Sequence, residues 1–375
     1  MAIKKPDYDN LRNQEDFVWY VNSSVYALAK IADISLYELN SDYKAGIKMY
    51  QENSINSYLE NFNFNEKMRR PVISTPPVSY GHLNGIGVDL VFPPGNGEVN
   101  YEKVERPIDE WIKMLEEPRD FKVSGMAPYF IDYMEKLKEA YPGKQVRFSY
   151  GYEGPITEAY TMLDSNFFFA LYDEPEKLKI MLDRIARSVI RFKKFYSQMN
   201  NSDYKYAYGM CDDIAAMVAP DMWDEFVIPF MDMIYSDTGN YKRNLHCEDM
   251  TYKHLKNLET LGITWYDPSI SPKLTPPLIT NNCRIPYIFR LGSIYHSIIS
   301  PQLAKDFVYA SIRDGASGVF TEADHLDSHS IAVVNAFIEA CENTQSLLDQ
   351  GASRQDIGNQ MSPEGKAYYW DKWLK

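Results

Sequence analysis

The stretch "YIFRLGSIYHSIISPQLAKDFVYASIRDGASGVFTEA", Tyr287 to Ala323, decides the fold. "YIFRLG" has strand character and stops at a glycine. "SPQLAKDFVYASIRDG" reads as a helix, with Ser300 as N-cap and Gly315 as the stop. "GVFTEA" is again a strand. A strand, a crossover helix and a second strand in that order make the two strands parallel. Working outward, "PVIST", "VRFSYG", "YKYAYG", "RNLHC" and "ITWYD" repeat the strand pattern, each followed by a helix-length piece. The clearest helix spans 174–198, with Asp173 as cap, Pro175 in the first turn, and Leu178, Met181, Leu182, Ile185, Val189 and Phe192 on one face. Another starts near Pro220 and should bend or break at Pro229. A last one runs through "SHSIAVVNAFIEACENTQSLLDQG" to Gly351. Seven strands and one without a visible position fit an α/β chain folded as a (β/α)8 TIM barrel better than an open doubly wound sheet. No G-x-G-x-x-G follows the first strand, so the usual dinucleotide signature is absent. Residues 1–70 read as an N-terminal helical extension with an N-cap at Ser41, 71–352 as the barrel, and 353–375 as a tail. Two partners suit the tail's aromatic cluster "YYWDKW": the barrel itself, or a second subunit of a homodimer.

With 375 residues, 45% hydrophobic and 24% charged, the chain has the composition of an ordinary globular protein with a sizeable core. A net charge of −13 and the lack of any basic block argue against nucleic acid or an anionic membrane as partner. "MAIKKPDYDN" is not followed by an apolar segment, and no apolar run is long enough to span a bilayer. The cysteines Cys211, Cys247, Cys283 and Cys341 are far apart and form no C-x-x-C pair, so reduced thiols in a cytoplasmic protein are expected.

In a barrel the chemistry lies at the C-terminal ends of the strands. Those positions hold Glu153 after "VRFSYG", Cys211, Asp212 and Asp213 after "YKYAYG", and "HCED" (His246–Asp249) after "RNL". They also hold Asp267, Arg290, and Glu322, Asp324 and His325 in the last strand and just beyond it. So many acids near two histidines point to metal binding or acid–base work. His246 and Glu248 stand one residue apart and at a strand end point the same way, so both can reach one ion while Cys247 faces elsewhere. Zinc accepts such N and O donors and needs a third, for which Glu322 or Asp324 are candidates. Plainer readings stay open: helix capping by Asp212 and Asp213, a loop acid at Glu153, an ion-pair role for Arg290, and core or rim packing for Tyr150, Tyr152, Tyr206 and Tyr208.

These segments resemble the uroporphyrinogen decarboxylase superfamily. "YGYEGPITEAYTMLDSNFFFALYDEPEKLKIMLDRI" is similar to its Gly-Pro segment and the proline-led helix that follows. "CDDIAAMVAPDMWDEFVIPF" resembles its acid pair and "S-P-e-x-f" segment, and "LHCED" falls where it has "H-x-C-G". The resemblance runs from roughly Ser41 to Cys341 and implies a (β/α)8 barrel. True decarboxylases of the superfamily carry "M-R-Q-A-G-R", which grips substrate carboxylates; here "EKMRRPVIST" keeps only Met68 and Arg69. The other branch, zinc-dependent methyltransferases of corrinoid systems, binds zinc through "H-x-C" and a distant cysteine.

Carried over, the family histidine falls on His246 and the first cysteine on Glu248. The distant cysteine falls near Glu322 to Asp324. Oxygen replaces sulfur at both places, which leaves zinc a harder Lewis acid suited to an oxygen leaving group. The resemblance therefore implies methyl transfer from a small O-methylated substrate, such as an aromatic ether, to the Co(I) corrinoid (cobalamin) of a partner protein. Asp213, Asp212 or Glu153 would protonate or orient the substrate, and Tyr150, Tyr208 and Arg290 would line its pocket. Alternatives are a lyase acting on a carboxylated substrate and an N-methyl donor such as a methylamine or betaine.

Overall fold

The computed structural model describes residues 5–14, 16–63 and 67–373. It is a mixed α/β structure whose contacts group the chain into two compact units, each assembled from separated segments. The first comprises Asp33–Tyr50 and Val72–Leu245; the second comprises Lys5–Ala32, Gln51–Pro71 and His246–Lys375. Among the described residues no helix is long and apolar enough to cross a membrane.

The second unit is built on a parallel three-stranded sheet in the order Val18–Ser23, Gly318–Ala323, Ile288–Leu291. The two later strands and the helix Pro301–Arg313 between them form the crossover expected from the sequence. Ser300 caps that helix by accepting from Leu303 N at 3.1 Å. Gly318 pairs with Val18, and a Cβ there would overlap the Val18 carbonyl oxygen, so only glycine lets the two strands approach. A parallel bridge from Tyr287 to Tyr266 continues the arrangement toward the strand Trp265–Asp267. The tail packs on this same unit. The rings of Trp370 and Phe289 lie 5.5 Å apart, those of Trp373 and Phe307 lie 5.4 Å apart, and the Tyr369 hydroxyl donates to Leu303 O at 2.8 Å.

The N-terminal stretch departs from its helical reading. It contains short helices, but "VWYVNS" is a strand and pairs with the last strand of the chain. Ser41 closes the helix Leu36–Ser41, and Asp42 is the cap of the next.

In the first unit, the helix Pro175–Met199 buries the six apolar residues read from its periodicity. Asp173 ends the preceding helix, and Glu174 takes the cap position without a side-chain bond. The helix expected to fail at Pro229 does break, into Trp223–Phe226 and Ile228–Asp237. "PVIST" and "VRFSYG" are reduced to isolated parallel bridges, Ser74 with Arg147 and Val78 with Tyr150. Pro71, Pro76 and Pro77 have no N–H to give a ladder. "YKYAYG" starts as a 3-10 turn, Tyr204–Tyr206, and the strand begins only at Gly209.

Candidate active site

Within the second unit, the strand ends bring together five of the polar residues around His246. Its Nδ1 lies 2.9 Å from Asp267 Oδ2, and its Nε2 lies 3.7 Å from Glu248 Oε1. Asp267 is fixed in turn by Ser269 N, which donates to Oδ1 at 2.8 Å. The Ser269 hydroxyl donates to Glu248 Oε1 and accepts from Arg290 Nη1 at 3.4 Å. Arg290 Nη2 donates to Glu322 Oε2 at 2.5 Å. This last pair follows from the sheet register. Arg290 stands opposite Phe320, so Glu322, two residues on, projects from the same face, and the guanidinium lies over the Phe320 ring. The contact with the His246 ring and then the bond from Ser269 hold the Glu248 carboxyl below its ordinary value.

An imidazole flanked by two carboxylates has two stable forms. Either it is an imidazolium, or Nδ1–H is given to Asp267 and a cation lies between Nε2 and Glu248. A carboxylate behind the ring is the usual support of a metal-ligating histidine. Two donors of one tetrahedral zinc stand about 3.4 Å apart, close to the His246–Glu248 separation, so this pair fits half of such a site. The other expected donors are engaged elsewhere. Glu322 is bound to Arg290, and Asp324 accepts from Ser24 Oγ and, at 3.4 Å, from Ser293 Oγ. Among the described residues no three His, Cys, Asp or Glu side chains converge closely enough to hold a metal ion. Cys247 is buried.

Two members of this cluster went unread in the sequence. Ser269, just past a strand end, links Glu248 to Arg290. Tyr20 comes from the N-terminal strand. Burial pushes its phenol up to about 12, and Arg69, Asp267, Arg290 and Glu322 all act on it. The Arg69 guanidinium lies 3.6 Å from the centre of its ring. Alternation in "VWYVNS" is the one local signal that could have revealed Tyr20.

The remaining expected site residues belong to the first unit. Asp212 is fully buried and serves as a cap, not for the helix after it but for Pro155–Leu163. It accepts from Ile156 N at 3.1 Å and from Thr157 N and Oγ1, each at 2.8 Å. Gly154 precedes that helix because a Cβ would strike the Asp212 carboxylate. Burial pushes Asp212 up to about 7, while the three donors pull it down. Tyr150, expected at a substrate pocket, is a core residue that donates to Asn84 Oδ1 at 2.6 Å and stacks on Phe130. Tyr208 is half-buried, with Lys242 over its ring. Asp213 opens a 3-10 turn and adds its charge to the surroundings of Glu153.

Burial, then Glu158, Asp213 and Asp212, push Glu153 up to about 8. A carboxyl that keeps its proton at neutral pH is competent as a general acid. The native state thus holds a proton that the unfolded chain releases. Stability should therefore fall as pH rises from the ordinary glutamate range to about 8 and level off beyond, by a few kcal/mol at about 1.4 kcal/mol per unit. Glu153→Gln is expected to flatten the slope between about pH 7 and 8 and to reduce it below, where the raised Asp212 still contributes. Urea denaturation of both proteins across this range checks it, and parallel pH profiles would refute it.

Behind Glu153 lies a chain that the sequence did not disclose. His82 Nδ1 is 3.0 Å from Glu158 Oε2, and its Nε2 is 2.9 Å from Ser188 Oγ. Glu158 Oε1 accepts from Glu153 N at 3.2 Å. The order serine, histidine, carboxylate is that of a hydrolytic triad, but His82 and Glu158 have no exposure and Ser188 has 2%. A nucleophile needs access to substrate, so this set is a buried brace.

Comparison with known proteins places these geometries in context. The family model described as uroporphyrinogen decarboxylase (URO-D) matches residues 80–273, a span that includes Glu153, Asp212, His246, Glu248 and Asp267. No curated protein sequence matches the chain. Among 19 matching solved chains is a methyltransferase from Methanosarcina mazei. It aligns with a TM-score of 0.63 at 13% identity, covering 90% of this chain and 97% of that one, a likeness of fold.

Proposed function

Because the chain belongs to the uroporphyrinogen decarboxylase family, we propose that it transfers a methyl group from a small O-methylated substrate to the Co(I) corrinoid of a partner protein. The observation that carries this reading is His246, set between Asp267 and Glu248 with Nε2 turned to the second carboxylate. That the Methanosarcina mazei neighbour is a methyltransferase supports it further. His246 and Glu248 would hold a divalent ion, zinc in the first instance, with Asp267 supporting the ring. Glu322 or Asp324 would add a donor only on giving up its present bonds, Glu322 to Arg290 or Asp324 to Ser24 and Ser293. When bound, such an ion supplies Lewis acidity toward a substrate oxygen.

The chain's own groups then have definite tasks. Tyr20, kept protonated by its raised value, can donate to an oxygen of the substrate. Ser269 couples Glu248 to Arg290, so the acid and the cation are positioned together. In the reaction, the methyl–oxygen bond breaks with its electron pair to oxygen. That oxygen takes one proton and leaves as an alcohol or phenol, while the methyl group passes to the acceptor.

A second reading, a lyase acting on a carboxylated substrate, is favoured by Arg69. Its guanidinium stacks on Tyr20 and bonds Asn22 Oδ1 at 3.3 Å, with no carboxylate partner among the described residues. One experiment separates the two. Purified protein is analysed for divalent metals, then mixed with a Co(I) corrinoid and a panel of O-methyl and N-methyl compounds. Donor-dependent loss of the Co(I) spectrum supports methyl transfer. Failure with every donor, together with carbon dioxide release from a carboxylated substrate by metal-free protein, would establish the lyase instead.

A further inference from the structure

The second unit carries a half-open cavity of about 710 Å³ at the N-terminal ends of the strands Val18–Ser23 and Gly318–Ala323. Those strands carry Asn22 and Glu322 at their other ends, roughly 13 Å away at about 3.3 Å per residue, so this is a separate place. The volume lies within the range of small-molecule sites. Ile312 and Leu348 give it an apolar wall.

Two polar groups of the lining stand out. Ser317 is 2% exposed, and its hydroxyl has no hydrogen-bond partner. Leaving such a group unsatisfied costs about 1–3 kcal/mol. Arg354 donates through Nη1 to Ile312 O at 2.6 Å and Ala316 O at 2.8 Å, which fixes the plane of its guanidinium. It has no carboxylate partner among the described residues. Burial and the charge of Arg12 both disfavour its cation, and an anion beside it would relieve both. The exposed acids Asp16 and Asp349 line the same cavity. With Lys67 also in the lining, the cavity carries charges of both signs, which suits a zwitterion better than a simple anion or cation.

We propose that this cavity binds a free α-amino acid with an apolar side chain. The carboxylate lies on Arg354 and the Ser317 hydroxyl, the ammonium group faces Asp16 and Asp349, and the side chain rests on Ile312 and Leu348. The site is independent of the methyl-transfer chemistry and needs no turnover to be detected.

Calorimetric titration of the full-length protein tests it, with L-leucine as probe. Isocaproate serves as the analogue without the ammonium group and isoamylamine as the analogue without the carboxylate. L-Leucine is expected to bind saturably, and each analogue at least about tenfold more weakly. Ser317→Ala should weaken L-leucine about tenfold, the loss of one hydrogen bond. Its melting temperature should rise slightly, because a buried hydroxyl without a partner is removed. Asp349→Asn, at the exposed rim, should weaken L-leucine but not isocaproate. No saturable binding of L-leucine or of other apolar amino acids would overturn the proposal. So would equal affinity for isocaproate, or unchanged affinity in Ser317→Ala.

Discussion

Glu248→Gln is expected to lose bound divalent metal and to slow methyl transfer by at least about a thousandfold, some 4 kcal/mol of barrier. The amide keeps the volume of the side chain and an oxygen that can still accept from Ser269, so the fold should be untouched. What disappears is the negative charge facing His246 Nε2. His246 keeps its contact with Asp267, but a cation between the two side chains loses its anionic donor. The wild-type protein adds a directional check. Because Glu248 is held below its ordinary value, it stays ionised through the neutral range and protonates only as pH falls through that lowered value. Metal occupancy set by this donor should be level at higher pH and be lost on acidification. Elemental analysis alongside the rate of Co(I) consumption measures both effects. A Gln variant with full metal content and full rate would remove Glu248 from the site.

His82→Ala should cost about 2–5 kcal/mol of stability, because it leaves a cavity in place of a fully buried ring and takes a hydrogen-bond partner from both Glu158 Oε2 and Ser188 Oγ. Glu158 would keep the amide of Glu153 as a donor, yet the oxygen now facing His82 would be left in a space with no solvent. Ser188→Ala should be milder, about 1–3 kcal/mol, because it unsatisfies only one ring nitrogen. Denaturant unfolding of the three proteins reads these differences. A loss under about 1 kcal/mol in His82→Ala would mean that the interior relaxes around the missing ring.

The parts of the fold that were legible from sequence are those whose signals are local. "GVFTEA" is strand from its first residue to its last, Gly318–Ala323, because a turn precedes it and its β-branched and aromatic residues suit a buried sheet. The helix Pro175–Met199 announces itself by proline and period. "VWYVNS" was lost because its partner lies 300 residues away, Val18 opposite Gly318, and no neighbouring residue reports that pairing. "YKYAYG" misled because tyrosine's β-propensity is a preference for a half-buried surface. Asp203 overrides it by accepting from Lys205 N and starting a turn.

The site divides in the same way. His246 and Glu248 could be paired on paper because the strand period puts i and i+2 on one side. The Arg290–Glu322 bond needs the register between two strands, and the capping role of Asp212 needs a helix that begins 57 residues earlier at Pro155. Tyr150 looked like a pocket residue because it sits at the end of a predicted strand. The ring instead turns into the aromatic core beside Phe130.

The pairing of Val18–Ser23 with Gly318–Ala323 also sets an order of events during synthesis. Residues 33–245, apart from the excursion 51–71, supply one unit and can condense as soon as they leave the ribosome. The first strand is made before them but must wait for the last. Throughout that interval it exposes unpaired backbone groups with Trp19 and Tyr20, a template for wrong partners. A nascent chain that stalls short of Gly318 should therefore be an aggregating and chaperone-dependent species, whereas one released a few residues after Ala323 has the strand that covers this edge.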